Sequence, residues 1–210
     1  MNLTIVEHPL AKHYLTTLRN SSTDNDAFRA AARRLTNTLV LEATRDVPAR
    51  EKPVETPMGT TTGHILADVV AVAVLRAGLG MLVAVVDMIP HVKVGFAGVQ
   101  RDEDTAEPIE YYVNLPEVDD ASVLILEPML ATGGSLSWAV DKAKEAGATD
   151  ITALCVVTAP EGVARMFADH PDVRIVAAAA DKELNDTYYI VPGLGDMGDR
   201  LFGTIDRPEL

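Results

Sequence analysis

Small and hydroxyl-bearing residues follow an apolar run near the middle of the chain. Residues 123–126 are apolar and end at Glu127 and Pro128, and the string Thr132-Gly133-Gly134-Ser135 then precedes a helical pattern. The run predicts a buried strand of a parallel sheet, which the proline ends. A glycine turn between a strand and a helix presents free backbone N–H groups at the positive end of the helix dipole. This arrangement is an anion site that suits phosphate, to which the Thr132 and Ser135 hydroxyls could add donors.

From these residues alone, an ordinary strand-to-helix turn remains an equal alternative. The chain contains no GxxxxGK[ST], and the turn at residues 132–135 is not GxGxxG, so this turn carries no motif for a nucleoside triphosphate or a dinucleotide. We predict Ser135 as the N-cap of the helix and Gly147 as its C-terminal stop.

Two arginines follow predicted strands. Residues 69–75 form a buried-strand pattern that runs directly into Arg76, at the carboxyl edge of the sheet where open α/β folds bind ligands. Arg101 opens a charged segment between two strand-like pieces, a place where a lid is often built. A surface arginine at a turn and a solvated loop are the respective alternatives.

The third candidate region is residues 181–204, which is irregular and rich in glycine. Gly193, Gly195 and Gly198 alternate around Asp196, and glycine allows the backbone to approach a flat ligand closely. A C-terminal surface loop is the alternative.

The elements that must position these groups alternate along the chain. We predict further strands at residues 92–98, 151–157 and 173–178, and helices at 24–45, up to 89, after the glycine turn and up to 168. Helix 24–45 should bury Phe28, Ala32, Leu35, Leu39 and either Leu41 or Ala43. Residues 46–63 read as loop or edge strand. The alternation predicts an α/β fold with a mainly parallel sheet and helices on both faces, in one domain spanning residues 1–210.

Composition narrows the class of function. The 210 residues are 48% hydrophobic and carry a net charge of −13, which disfavours nucleic acid as a main partner. No apolar run approaches the length of a membrane span, so we expect a cytoplasmic protein. Cys155 lies in an apolar run and is predicted to be a buried structural thiol. No acidic or cysteine cluster accompanies His8 and His13, which are interpreted as surface or interface residues near the start of a helix.

Four ordered strings resemble the uracil phosphoribosyltransferase family of type I phosphoribosyltransferases. They are EPMLATGGS at 127–135, LRAGLGM at 75–81, QRDEDTAEPIEYY at 100–112, and YIVPGLGD-x-GDR-x-FGT at 189–204. The resemblance implies a type I phosphoribosyltransferase fold with a flexible loop around Arg101 and a base-binding C-terminal hood, residues 181–204. It also implies transfer of the 5-phosphoribosyl group from phosphoribosyl diphosphate (PRPP) to uracil, giving UMP and diphosphate. Mg²⁺ would arrive with the diphosphate, with no dedicated protein ligands, and a homo-oligomer and regulation by GTP are further implications.

The resemblance also assigns roles to residues. Arg76, Arg101, Glu127 and Asp196 would be catalytic, and the pyrimidine would meet the backbone of Ile190, Gly195 and Met197, beside Asp196. The residues implied for PRPP binding are Arg76, Arg101, Glu127, Pro128, Met129, Leu130, Ala131, Thr132, Gly133, Gly134, Ser135 and Asp196.

The chain departs from the family pattern at several positions. Glu127 stands where aspartate is usual, Met197 where alanine is usual, and Ala73 where proline is usual; Thr187-Tyr188 replace a frequent His-Gly. Two alternatives stay open: a phosphoribosyltransferase for another base, and a non-catalytic regulator on the same fold that binds nucleotides or RNA.

Overall fold

The computed structural model describes residues 2–101 and 108–204, with the backbone alone described at Arg101 and Pro108. Its helices are α1 Pro9–Arg19, α2 Asn25–Ala43, α3 Leu79–Met88, α4 Gly134–Glu145, α5 Pro160–Asp169 and α6 Met197–Phe202. Its strands are β1 Leu3–Ile5, β2 Ala49–Thr56, β3 Gly59–Leu66, β4 Val69–Leu75, β5 Lys93–Arg101, β6 Pro108–Asn114, β7 Ser122–Leu126, β8 Met129–Leu130, β9 Asp150–Thr158, β10 Arg174–Ala180, β11 Glu183–Leu184 and β12 Ile190–Val191.

The main sheet has the strand order β1–β10–β9–β7–β4–β5–β6, with the short β8 also paired to β9. All of its neighbouring strands are parallel except β5 and β6, which are antiparallel. The predicted mainly parallel α/β sheet is therefore confirmed. Strand β1 was not predicted, because three residues are too few to show a periodic pattern.

Both faces of the sheet are buried by helices. Along β4, Val69 and Ala71 face a core that includes α1, α2 and α3, whereas Val70 and Val72 face a second core under α4 and α5. Successive strand side chains point to opposite faces, so a strand covered on both sides must be apolar at every position. This explains the continuous apolar runs of β4, β7 and β9.

Helix α2 packs along the first core, and its packing shows which of Leu41 and Ala43 faces inward. Its buried positions include all four predicted residues, and Ala43 completes them with 0% exposure. Leu41 is 63% exposed and lies on the solvent side. Asp24 caps the helix by accepting a hydrogen bond from the Ala27 N–H.

Residues 49–66 form the antiparallel hairpin β2–β3, which the sequence predicted only as loop or edge strand. The hairpin is paired with itself and not with the main sheet, and every residue of β2 is exposed. The alternating signal of a half-buried strand is missing, because in this chain neither face of β2 is covered.

Two further sequence predictions concern the thiol of Cys155 and membrane-spanning segments. Cys155 in β9 is fully buried, as predicted, and burial raises the pKa of its thiol. Among residues 2–101 and 108–204, no helix is both long enough and apolar enough to cross a bilayer.

Two leucines of α2 provide a matched test of this packing. We expect Leu39→Ala to lower the free energy of unfolding by about 2–5 kcal/mol, because the removed side chain leaves a cavity in the core. The same substitution at the exposed Leu41 should change it by less than about 0.5 kcal/mol. Urea denaturation of both variants measures this difference, and equal losses would contradict the assigned faces of α2.

Candidate active site

A cavity of about 360 Å³ opens at the carboxyl edge of the sheet. It lies beyond the ends of β4 and β7, which are adjacent and parallel. From β4 the chain continues to β5 on one side, whereas from β7 it continues to β9 on the other. This reversal leaves a crevice between the two outgoing loops, which is where open α/β folds bind ligands. The cavity is lined by Ala77, Glu127, Met129, Leu130, Ala131, Thr132, Gly133, Gly134, Ser135, Leu136, Tyr188, Tyr189, Ile190, Gly195, Asp196, Met197 and Gly198.

The glycine turn forms one wall of the cavity. Helix α4 begins at Gly134, and its N-cap is Gly133, which has φ +84° and makes no side-chain capping bond. A Cβ at Gly133 would lie 3.0 Å from the Gly162 carbonyl oxygen, so glycine is required there by both conformation and space. The prediction of Ser135 as the N-cap is therefore wrong, since the left-handed glycine starts the helix earlier. Gly147 follows the helix with φ +105°, as predicted.

Helix α4 directs its N-terminus at the cavity. The first N–H groups of a helix have no partner within the helix, and no side chain caps them here. With the helix dipole they form an anion site at the wall made by residues 131–135.

Glu127 is the acidic residue at the end of β7. It is only 9% exposed, lines the cavity, and accepts a hydrogen bond from the Met129 N–H. The pKa of Glu127 is raised to about 8, mainly by burial; the Met129 hydrogen bond opposes this rise, and the charge of Asp196 adds to it. The Glu127 carboxyl group is therefore largely protonated at neutral pH.

The hood forms another wall of the cavity. Strands β11 and β12 pair as a short hairpin, whose turn is closed by the Asn185 side chain accepting from the N–H groups of Thr187 and Tyr189. Tyr188, in this turn, has φ +61°, a conformation that glycine adopts most easily. Tyr188 and Tyr189 are half exposed at the cavity. The sequence did not predict either tyrosine as a site residue.

Asp196 is the N-cap of α6, the short helix within the hood. Its carboxylate accepts from the Asp199 N–H at 2.8 Å and so caps the helix, while the residue lines the cavity. Met197 is 1% exposed and belongs to the first core, in which Leu201 is also buried. The Met197 side chain therefore supports the cavity wall from the core side.

Arg76 lies at the rim, outside the lining itself. Its guanidinium donates to Asp199 at 3.2 Å and to the Thr204 hydroxyl at 3.4 Å. Its side chain remains 57% exposed. Neither Asp199 nor Thr204 was predicted from the sequence as a partner of Arg76. The available signal was the spacing of Asp199 from Asp196, which places Asp199 in the first turn of the helix that Asp196 caps.

Pro128 was predicted for the site but does not line the cavity, and the side chain of Arg101, also predicted for it, lies outside the described structure. The carbonyl oxygen of Pro128 accepts from the Val156 and Val157 N–H groups, which hold it against β9. Arg101 ends β5, but its side chain and residues 102–107, which include most of the predicted flexible loop, lie outside the described residues.

The sequence model of the uracil phosphoribosyltransferase family matches residues 5–204. The chain belongs to the uracil phosphoribosyltransferase family. The resemblance drawn from four short strings is thus confirmed over nearly the whole chain.

Individual relatives agree with the family assignment. The uracil phosphoribosyltransferase of Salinibacter ruber is 47% identical over 205 residues, covering 97% of this chain and 98% of that protein. The uracil phosphoribosyltransferase of Alkaliphilus oremlandii is 46% identical over 205 residues, covering 96% of this chain and 98% of that protein. The structure of the AQ2163 protein from Aquifex aeolicus superposes with a TM-score of 0.94 at 38% identity, covering 98% of this chain and all of that chain.

Membership of the family makes sense of one departure from its pattern. Many members have glycine where this chain has Tyr188, and the positive φ of Tyr188 shows why glycine suits that position. Here the Asn185 hydrogen bonds hold the turn despite the larger residue.

The raised pKa of Glu127 predicts a pH dependence of stability. Above about pH 4.5 the unfolded chain releases this proton, whereas the folded protein keeps it up to about pH 8. The folded state then binds more protons, so the free energy of unfolding should fall as pH rises between these values, by a few kcal/mol in total. Glu127→Gln cannot ionise and should lack this contribution. Urea denaturation from pH 5 to pH 8 tests this, and parallel curves for the two proteins would contradict it.

Proposed function

We propose that the protein transfers the 5-phosphoribosyl group from PRPP to uracil, giving UMP and diphosphate. The observation that carries the proposal is one cavity that is lined both by the N-terminus of α4, which suits phosphate, and by the hood residues 188–190 and 195–198. A substrate bound at both walls would have its ribose between them, beside Glu127.

The phosphate end of PRPP is assigned to residues 131–135. Their N–H groups at the start of α4 favour an anion, and the hydroxyl-bearing residues Thr132 and Ser135 line the same wall. Among the described residues, no lysine lines this cavity. Phosphate binding at this wall would therefore rest on backbone N–H groups, hydroxyls and the helix dipole.

The diphosphate end is assigned to the rim beside Arg76. Departure of diphosphate builds negative charge on the leaving group, and a nearby guanidinium stabilises that charge in the transition state. Arg101 is assigned the same role from the family resemblance. Arg76 is already oriented by its contacts with Asp199 and Thr204.

Mg²⁺ fits this site only as a partner of the diphosphate. The described residues contain no group of three or more His, Cys, Asp or Glu side chains that could hold an ion. Magnesium commonly binds through one or two carboxylates together with substrate phosphates. Asp196 is the carboxylate assigned to it here, and the ion would neutralise charge on the diphosphate.

Glu127 is assigned to the ribose. It can hydrogen-bond the ribose hydroxyls in either protonation state, as a donor when neutral and as an acceptor when ionised. Positive charge developing on the ribose at C1 would favour its ionised form and lower its pKa. The buried carboxyl can therefore respond to the charge that the reaction creates.

The base is assigned to the backbone of Ile190, Gly195 and Met197. Backbone donors and acceptors are fixed by the fold, and cytosine presents an amino donor where uracil presents a carbonyl acceptor. A site built for one pattern can reject the other by roughly 10⁴-fold, since its own polar groups would be left unpaired. Met197 is packed in the core, so its effect on base choice would come through the wall it supports.

We also propose that the protein forms a homo-oligomer. The β2–β3 hairpin is paired only with itself, and β2 has no buried residue in the chain described here. An isolated two-stranded hairpin is marginally stable in water, which favours packing against a second copy. Regulation by GTP stays a prediction from the family resemblance.

The direct test is formation of UMP from uracil and PRPP, with and without Mg²⁺. We expect activity that requires both PRPP and Mg²⁺, use of uracil and 5-fluorouracil, and refusal of cytosine and orotate. Hypoxanthine and orotate as substrates test the alternative of another base. Robust turnover in excess chelator, or equal use of cytosine and uracil, would contradict the proposal.

Two exposed arginines provide a matched test of the diphosphate assignment. Arg76 and Arg33 each pair with an aspartate and are more than half exposed, but only Arg76 lies at the cavity rim. Arg76→Gln should weaken transition-state stabilisation by about 2–4 kcal/mol, seen as a loss in kcat/KM for PRPP. Arg33→Gln should leave kcat/KM unchanged, and both variants should keep their stability within about 1 kcal/mol. Equal activities would remove Arg76 from the site.

A further inference from the structure

Two arginines that do not line the cavity hold the hood in place. Arg19, in the last turn of α1, makes a bidentate pair with Asp181, with distances of 2.8 and 2.5 Å. The same guanidinium donates to the Gly193 carbonyl at 2.8 Å. The Asp181 side chain is only 5% exposed and also accepts the Gly193 N–H at 2.9 Å. Both polar groups of Gly193 are therefore bound to this pair.

Arg200 holds the next carbonyl along the chain. Its guanidinium donates to the Leu194 carbonyl at 2.8 Å and to the carbonyls of Leu18 and Asn20 at the end of α1. It also stacks over the Phe28 ring, 4.2 Å from the centroid. Arg200, which lies in α6, thus connects the hood at Leu194 to the same end of α1 that carries Arg19.

These contacts determine which way the hood peptides face. In a planar trans peptide the C=O and the following N–H point in opposite directions. The Leu194 carbonyl points to Arg200, so the N–H of Gly195 points away from Arg200. Leu194 is 4% exposed and does not line the cavity, whereas Gly195, Asp196 and Met197 do.

Glycine at these positions permits the arrangement. Gly193 and Gly195 have φ +57° and +80°, and a Cβ at Gly193 would lie 2.1 Å from the Ile190 carbonyl oxygen. The backbone therefore reverses direction within a few residues. The arginines supply the donors for the carbonyls that this reversal turns away from the cavity.

We propose that Arg19, paired with Asp181, and Arg200 are positioning residues for base recognition, orienting residues 193–195 so that the Gly195 N–H is presented to the base. The inference rests on the proposed function, in which Gly195 contacts uracil. Neither arginine lines the cavity, so each acts through the backbone it holds.

A matched control is available in Arg29. It also donates to a hood carbonyl, that of Leu201 at 2.9 Å, but Leu201 lies in α6 and outside the cavity lining. Arg200→Lys and Arg29→Lys are therefore the same substitution with the same kind of contact. Lysine keeps the charge but cannot serve three carbonyls with the planar fork of arginine.

Kinetics with both substrates separate positioning from a general structural role. For Arg200→Lys we expect the KM for uracil to rise at least tenfold and the KM for PRPP to change less than twofold. The ratio of kcat/KM for uracil to kcat/KM for cytosine should fall at least tenfold, because the Gly195 N–H is no longer held in place. Arg29→Lys should leave all three values within twofold. Equal rises in both KM values, or an unchanged base preference, would overturn the proposal.

The Arg19 arm is tested by the double variant R19Q/D181N. Replacing both partners avoids leaving the Asp181 carboxylate buried without its cation, a loss that a single Arg19 substitution would cause. We expect the same pattern of KM values as for Arg200→Lys. A double variant with wild-type kinetics for uracil would remove Arg19 from the proposal.

Backbone amide resonances provide a readout that does not depend on turnover. The Gly195 amide should shift in Arg200→Lys and in R19Q/D181N, and should stay in place in Arg29→Lys. If wild-type protein forms no UMP, the proposed function fails, and these shifts still decide whether the arginines orient Gly195. An unshifted Gly195 amide in both variants would overturn the positioning role, whatever the wild-type protein catalyses.

Discussion

The parallel pairing of β4 and β7 is the constraint on which the candidate site depends. Because the two strands run in the same direction, both end at the same edge of the sheet, with Arg76 after one and Glu127 after the other. The chain leaves them toward opposite sides, and the space between the outgoing loops is the cavity. A change in the order of these strands would separate the two groups even if every element were kept.

Electrostatics at the cavity follow from burial. The N-terminus of α4 provides partial positive charge on one wall, while Glu127 and Asp196 provide two carboxyl groups close enough to affect one another. Glu127 is buried and keeps its proton mainly for that reason, whereas Asp196 is exposed and its charge adds a smaller effect. A cationic transition state beside Glu127 would favour its ionised form, which links protonation in this site to the chemistry proposed for it.

The hood gains its shape from contacts made outside the cavity. Its short strands contain two residues each, too few to hold a loop in one conformation by themselves. Side chains supply the remaining order: Asn185 closes one turn, Asp181 and Arg19 hold Gly193, and Arg200 holds Leu194. The end of α1 is therefore part of the framework of the site, although no residue of α1 lines the cavity.

The sequence by itself determined the elements whose signals are local. Continuous apolar runs predicted β4, β7, β9 and β10, helical periodicity predicted α2, and Thr132-Gly133-Gly134-Ser135 marked the turn that faces the cavity. The family strings then located the hood and the acidic position at the end of β7, which is Glu127 in this chain. Each of these predictions depends on neighbours along the chain.

Only the tertiary structure decided features that depend on residues distant in sequence. Whether Leu41 or Ala43 faces the core depends on where α3 and the sheet lie against α2. The pKa of Glu127 depends on burial by the surrounding loops, and the contacts of Arg19 with Asp181 and of Arg76 with Asp199 span more than a hundred residues. Ser135 was wrong as a cap because Gly133 takes up a left-handed conformation packed against α5. Local sequence carries no record of such distances, since they are set when the elements pack together.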